Sequence, residues 1–244
     1  MSHSVAGNGA EDELFLSLKK GRLITVFIGS EPEPIYMQQS LLCGAADYFT
    51  NLLTNDTFEE AKTGVVRFPE DDLGAWKILL AWILKREVPQ VGGCQPLVNL
   101  CKAWYLGDKY IMRSFQDQVM WSIYILPFFS AGEDVDSSYC QLFQATLLDT
   151  PPRKCVAEAF AEATVLDGGL QWNSVPRTTS NPEYAVAILS AIASLKNDAI
   201  ESLDFDDGDS QGEPVWLRYM VGKGPRYVVN PWYRNVQDTM WLKH

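Results

Sequence analysis

Residues 21–68 read GRLITVFIGSEPEPIYMQQSLLCGAADYFTNLLTNDTFEEAKTGVVRF, and the fold is decided here. Leu23 to Ile28 is a β-branched and aromatic run closed by Gly29-Ser30, the pattern of a buried strand that ends in a turn. Pro34 to Met37 is a second short apolar piece, close enough to return as a hairpin. Leu41, Leu42, Ala45, Phe49, Leu52 and Leu53 then recur at helical spacings, which predicts a helix or a helix pair. Val65 to Phe68 is a third strand, stopped by Pro69.

Downstream, Glu70, Asp71 and Asp72 sit where a helix N-terminus favours negative charge. Trp76, Leu79, Leu80, Ile83 and Leu84 follow as one apolar stripe, broken by Pro89 and Gly92-Gly93. Leu97, Leu100, Cys101, Trp104 and Tyr105 give the next helix, with Pro96 near its start. Gly107-Asp108 is expected to turn the chain into another helix carrying Ile111, Phe115, Val119 and Ile123. Upstream, Leu14, Phe15 and Leu18 suggest a short amphipathic turn, and residues 1–12 read as a disordered lead-in.

Several pieces in this order resemble the BTB/POZ domain, most closely its fungal members. They are Val26-Phe27-Ile28-Gly29, Ile35-Tyr36-Met37, Leu41-Leu42, Asp47-Tyr48-Phe49, Phe58-Glu59-Glu60, Val65-Val66-Arg67-Phe68, Pro69-Glu70-Asp71-Asp72 and Leu97 to Tyr110. The resemblance covers about residues 13–125. It implies an α+β fold in which a small three-stranded sheet is wrapped by helices and followed by an α-helical extension. Two places depart from the family pattern. Arg22-Leu23 stands where an Asp often precedes the first strand, and Gln38-Gln39 stands where a His-Lys pair often follows the second.

The extension is expected over residues 137–203. Pro127 to Asp136 reads as a loop, and Tyr139 to Leu148 and Cys155 to Leu166 as helices across a Pro151-Pro152 corner. Residues 167–180 read as an exposed loop, and Asn181-Pro182-Glu183 opens a last helix carrying Tyr184, Ile188, Ile192 and Leu195. Residues 204–213, DFDDGDSQGE, form an acidic linker. Residues 214–244 hold Trp216, Tyr219, Tyr227, Trp232, Tyr233 and Trp241, too many aromatics for a solvated tail. They are expected to pack on the extension, with Trp216 and Trp232 as its main anchors or as partner-binding residues.

Charge and motif content narrow the function. A net charge of −11 opposes attraction to phosphate backbones or anionic lipid, so neither nucleic acid nor a membrane is an expected partner. Five cysteines with no CxxC suit a reducing compartment and argue against zinc. With no secretory pattern and no long apolar run, an intracellular protein in cytoplasm or nucleus is expected. The two histidines, His3 and His244, lie at the chain ends, where a rigid catalytic pair is not built. Neither a P-loop nor a GxSxG nor a strand-linked GxGxxG occurs. In the acidic linker, Asp207, Asp209 and Gln211 fall on calcium-loop positions around Gly212, but Arg218 stands where the bidentate Glu is required. The expectation is therefore a non-enzyme without cofactor or metal.

The resemblance implies a protein–protein interaction module. In family members that recruit a cullin, an apolar residue, any residue and then Glu sit in the loop before the third strand, a pattern that Phe58 and Glu60 match in a loop that the turn-forming Asn55, Asp56 and Thr57 open and Lys62-Thr63-Gly64 closes. This implies a substrate adaptor for a cullin-RING ubiquitin ligase. The alternative is a self-associating scaffold with no ligase link. Residues 1–12 do not supply the strand that the family's swapped dimers exchange, so any homodimer is expected to form without a swap.

Overall fold

The computed structural model describes residues 21–89, 93–125, 135–165, 181–197 and 219–221. The protein is α+β, with one small mixed sheet and otherwise helices among the described residues. The described residues fall into two compact units, the first ending at Pro89 and rejoined by Tyr105–Met112, the second built from the remaining described residues.

In the first unit, β1 (Leu23–Ile28) pairs antiparallel with β2 (Ile35–Gln38) and parallel with β3 (Val65–Phe68), giving the order β2-β1-β3. Ile24, Val26 and Ile28 point inward with Met37, Val66 and Phe68, as the alternation of a strand dictates. Three short helices lie between β2 and β3: α1 (Gln39–Cys43), α2 (Asp47–Thr54) and α3 (Glu59–Thr63). Leu42, Phe49, Leu53 and Ala61 are their buried apolar residues. After β3, α4 (Leu73–Lys85) starts at Asp72, whose carboxylate accepts the Ala75 N–H at 3.0 Å. That bond satisfies one of the four amides every helix start leaves open.

The centre of this unit is aromatic around one carboxylate. Phe49, Phe68, Trp76 and Tyr110 form a mutually contacting cluster with ring centroids 4.9–6.2 Å apart. Asp71, buried beside it, accepts hydrogen bonds from Trp76 Nε1 at 2.7 Å, from Lys109 Nζ at 2.7 Å and from the Tyr110 hydroxyl. Burial, followed by the bond to Asp71 and its charge, pushes the Tyr110 phenol well above its ordinary range. The loop carrying Asp71 also lies against the β1–β2 turn. Gly29 there has φ +58°, and a Cβ would stand 2.9 Å from the Asp71 carbonyl oxygen, so only glycine fits.

The second unit is helical: the first part of α5 (Cys94–Lys109), then α6 (Arg113–Ile125), α7 (Val135–Gln144), α8 (Pro151–Val165) and α9 (Pro182–Asn197). Leu97, Phe115, Val119, Ile123, Leu142, Phe143, Val156 and Phe160 are among its fully buried apolar residues. Buried Arg153 closes the C-terminal end of α7. Its Nε donates to Thr146 Oγ1 at 2.8 Å and its guanidinium donates to the Phe143 and Thr146 carbonyls. The guanidinium also lies against the stacked rings of Phe143 and Tyr184, 5.2 and 5.3 Å from their centroids. A cation there meets the negative end of the helix dipole and joins α7, α8 and α9. Among the described residues no helix is long and apolar enough to cross a membrane.

Several elements depart from the sequence reading. Gly107-Asp108 stays helical, and the chain turns at Tyr110–Met112, where Ile111 takes φ +59° and is 76% exposed instead of joining the stripe of α6. On α4 the buried stripe is shifted from the expected one: Ala75 and Trp82 are buried with Trp76, Leu79 and Ile83, while Leu84 is exposed. The segment before β3 is not all loop, since Glu59–Thr63 is helical. Pro151-Pro152 opens α8 rather than forming a corner, because a first-turn proline lacks only an N–H that the helix leaves unbonded anyway. The α7 helix starts at Val135, inside the expected loop. The lead-in 1–12, the Leu14–Leu18 turn, the loop 167–180 and the acidic linker 204–213 lie outside the described residues.

Asp71→Ala is expected to destabilise the protein by about 3–5 kcal/mol, because it strands two buried donors, each costing roughly 1–3 kcal/mol. Lys109→Met should cost less, since Trp76 and Tyr110 still solvate the carboxylate; chemical denaturation of both variants checks the order. A second expectation concerns alkali. Burial pushes the Cys101 thiol from its ordinary 9.0 up to about 12. Below the ordinary value the thiol is protonated in folded and unfolded chains alike, and its contribution to stability is whole. Above it the unfolded chain loses the proton first, so stability falls by about 1.4 kcal/mol per pH unit until the folded thiol ionises. Denaturation midpoints followed into alkali should show this decline, and Cys101→Ala should remove the part that begins near pH 9.0.

Candidate functional site

The residues singled out before β3 sit on a short, well-tied feature. Asn55 opens it: its side-chain oxygen accepts the Thr57 N–H at 3.0 Å and the Thr57 hydroxyl at 2.8 Å, and its carbonyl accepts the Phe58 N–H at 3.0 Å. This is the local turn that an Asn side chain makes with its own backbone. Phe58 follows in extended conformation as the N-cap of α3, and its side chain is 42% exposed. Glu60 lies in the first turn of α3, half-buried.

The far end of α3 is fastened by Arg22, the residue just before β1. Its guanidinium donates to the Ala61 carbonyl at 2.5 Å and to the Lys62 carbonyl at 2.7 Å. These are carbonyls that a helix end leaves without intrahelical partners, and a cation there also opposes the negative end of the dipole. Gly64 closes the helix in the left-handed region at φ +71° and donates its N–H to Glu60 O at 2.8 Å. A Cβ on Gly64 would stand 3.0 Å from the Arg22 guanidinium, so the absence of a side chain lets arginine reach the carbonyls. An acid at position 22 could not make these bonds, so the arginine has a local structural use.

What this arrangement can do is present an aromatic side chain on fixed backbone with an acid nearby. The second unit offers a different kind of feature, an open cleft of about 640 Å³ lined by Ser137, Cys140, Gln141, Gln144, Asn181, Pro182 and Tyr184. Among the described residues its polar side chains are the amides of Gln141, Gln144 and Asn181, the hydroxyls of Ser137 and Tyr184 and the Cys140 thiol. Among the described residues no group of three His, Cys, Asp or Glu side chains is placed to hold a metal.

Of the residues proposed from sequence, Phe58 and Glu60 both lie at the start of α3, while Trp216 and Trp232 lie outside the described residues. One part of the aromatic C-terminal segment is described. Tyr219 is fully buried in the second unit, 5.9 Å from the Tyr124 ring, with its hydroxyl hydrogen-bonded to Glu158. Val221 then donates its N–H to Asp117 Oδ1 at 2.9 Å. Asp117 and Glu158 are themselves buried acids on α6 and α8, which sequence reasoning did not single out.

Truncation after Leu203 removes Tyr219 and its roughly 1.5–3 kcal/mol of burial. The melting temperature of a chain of this size should drop by about 4–10 °C. Tyr219→Phe, which loses only the hydroxyl, should show a smaller drop in the same melt. An unchanged melting temperature in the truncated chain, with loss of a binding partner, would make the segment a recognition element instead.

No protein-family model and no curated protein matches the chain.

Proposed function

We propose that this chain is a non-catalytic protein–protein interaction module of the BTB/POZ type, serving as a substrate adaptor for a cullin-RING ubiquitin ligase. Phe58 and Glu60 form the cullin contact in this reading, and the C-terminal aromatics, Trp216 and Trp232 among them, contribute to the client side. The observation that carries it is Phe58: a large aromatic, 42% exposed, on backbone held by Asn55 on one side and by Arg22 through α3 on the other. An anchor that is already ordered loses little freedom on binding, so more of its contact energy becomes affinity. The order of strand, strand, helix pair, short helix and strand supports the same reading.

The second reading, a self-associating scaffold, is favoured by a different surface, the outer face of the sheet. The two are separable at Phe58. As a cullin anchor, Phe58→Ala should lower affinity for the host's cullin by about 2–4 kcal/mol, the range of a buried aromatic hot spot. Its melting temperature should hardly move, because a side chain this exposed adds little to the core. A pull-down and a melt on the same variant decide the matter. Failure of the wild-type chain to bind cullin, or a stability loss of about 3–5 kcal/mol as for a core phenylalanine, removes the adaptor role from this motif.

A further inference from the structure

The sheet buries one face. Leu23, Thr25, Phe27, Tyr36, Val65 and Arg67 alternate with the buried positions and so share the other face. The register makes them one patch: Tyr36 lies opposite Thr25, Thr25 beside Val65, and Phe27 beside Arg67. Leu23 is 60% and Tyr36 68% exposed, which leaves the patch open among the described residues. Arg67 is laid over the Phe27 ring, 4.0 Å from its centroid, and no carboxylate of the described residues lies within ion-pair distance of it. At the opposite edge, the turn entering β2 carries exposed Glu31 and Glu33, also without a described cation partner.

We propose that this face is a self-association surface whose occupant is a second copy of the chain, packed face to face about a two-fold axis running along β1. That axis lays β3 of each copy over β2 of the other. Arg67 then meets the turn bearing the partner's Glu33 and the partner's Glu31, and by symmetry the same contact forms a second time. Tyr36 lies over the partner's Val65, and Leu23 and Phe27 on the central strand meet their own counterparts. An axis across the strands would instead bring Arg67 to the end of the sheet where Lys62 and Arg22 lie, cation against cation. The arrangement of charge thus selects one orientation, as complementary potentials do at interfaces. Three strands about 4.8 Å apart, β2 and β3 four residues long and β1 six, make a patch roughly 15 Å on a side. An interface of that size belongs to the weak, concentration-dependent class.

This surface uses neither Phe58 nor Glu60, so its failure and that of the cullin contact are read in different variants. The test is sedimentation equilibrium of the full chain from about 1 to 500 μM, a span that covers dissociation constants equivalent to binding free energies from about −8 to −5 kcal/mol. The wild type should show a monomer–dimer equilibrium. Tyr36→Glu should abolish it, and Arg67→Glu should weaken it at least about tenfold by setting like charges together. Arg67→Glu combined with Glu31→Arg and Glu33→Arg should restore it. Leu84→Glu, on an exposed position of α4, should leave it unchanged; melting curves confirm that each variant is folded. A wild type that stays monomeric overturns the proposal, as does a dimer indifferent to Tyr36→Glu and Arg67→Glu, or a charge-exchanged chain that fails to recover. A monomeric wild type whose melting temperature falls with Tyr36→Glu would assign the face to a segment of the same chain, which also overturns it.

Discussion

The Asp71 carboxylate is the point on which the first unit turns. Trp76 comes to it from α4, and Lys109 and Tyr110 come from a segment nearly forty residues further along. Its own loop ends β3, caps α4 through Asp72 and packs its carbonyl against Gly29. A buried carboxylate is costly unless its lone pairs and its charge are answered, and here two neutral donors and one ammonium answer them. Lys109 reaches it with its stem half in solvent, so a single cation is supplied without burying a second charge completely. The aromatic rings around the carboxylate provide apolar burial that would be satisfied in more than one register. Bonds of fixed direction to Trp76 and Tyr110 are not, and they select one.

Much of the sheet was legible because strands and turns are written locally. Val26-Phe27-Ile28 followed by Gly29, and Val65 to Phe68 before Pro69, carry their own stop signals, and both strands form where those signals fall. The Asn181-Pro182-Glu183 opening of α9 was equally local, with the Glu183 N–H donating to the Asn181 side chain. Boundaries set by tertiary contacts were not legible. Gly107 suggested a turn by its intrinsic preference, but the helix must continue to Lys109 for Lys109 and Tyr110 to reach Asp71, and the break moves to Ile111. Pro151-Pro152 failed as a signal for the opposite reason: proline at a first helical turn and proline at a corner look alike until Arg153 is seen to hold α7 and α8 together.

The candidate site divides in the same way. Phe58 and the turn-forming Asn55 could be read in sequence, because an Asn side chain bonds to backbone two residues away. What fixes the other end of α3 could not. Arg22 lies 39 positions before Ala61, and nothing local marks an arginine as a helix cap rather than a solvated charge. Asp71 was hidden similarly inside Glu70-Asp71-Asp72, where only one acid caps the helix and only one is buried. Acids in a run are equivalent to a reader of spacing, and the fold separates them.

Charge bears on association in two opposing ways. Each copy of the chain carries −11, so two copies repel at long range, and that repulsion weakens as salt shortens the screening length to about 8 Å. Arg67 against the partner's Glu33 is a local attraction, and salt weakens it too. Whichever dominates fixes the sign of the salt dependence. A dimer held mainly by Leu23, Phe27 and Tyr36 tightens as salt rises, because only the repulsion is lost. A dimer held by the two charge pairs loosens over the same range. Arg67 is already laid on the Phe27 ring, so the ordering cost of its long side chain is partly met before association. That favours the pairs at low salt and the apolar strip at high salt, giving an affinity that changes less across salt than either contribution alone.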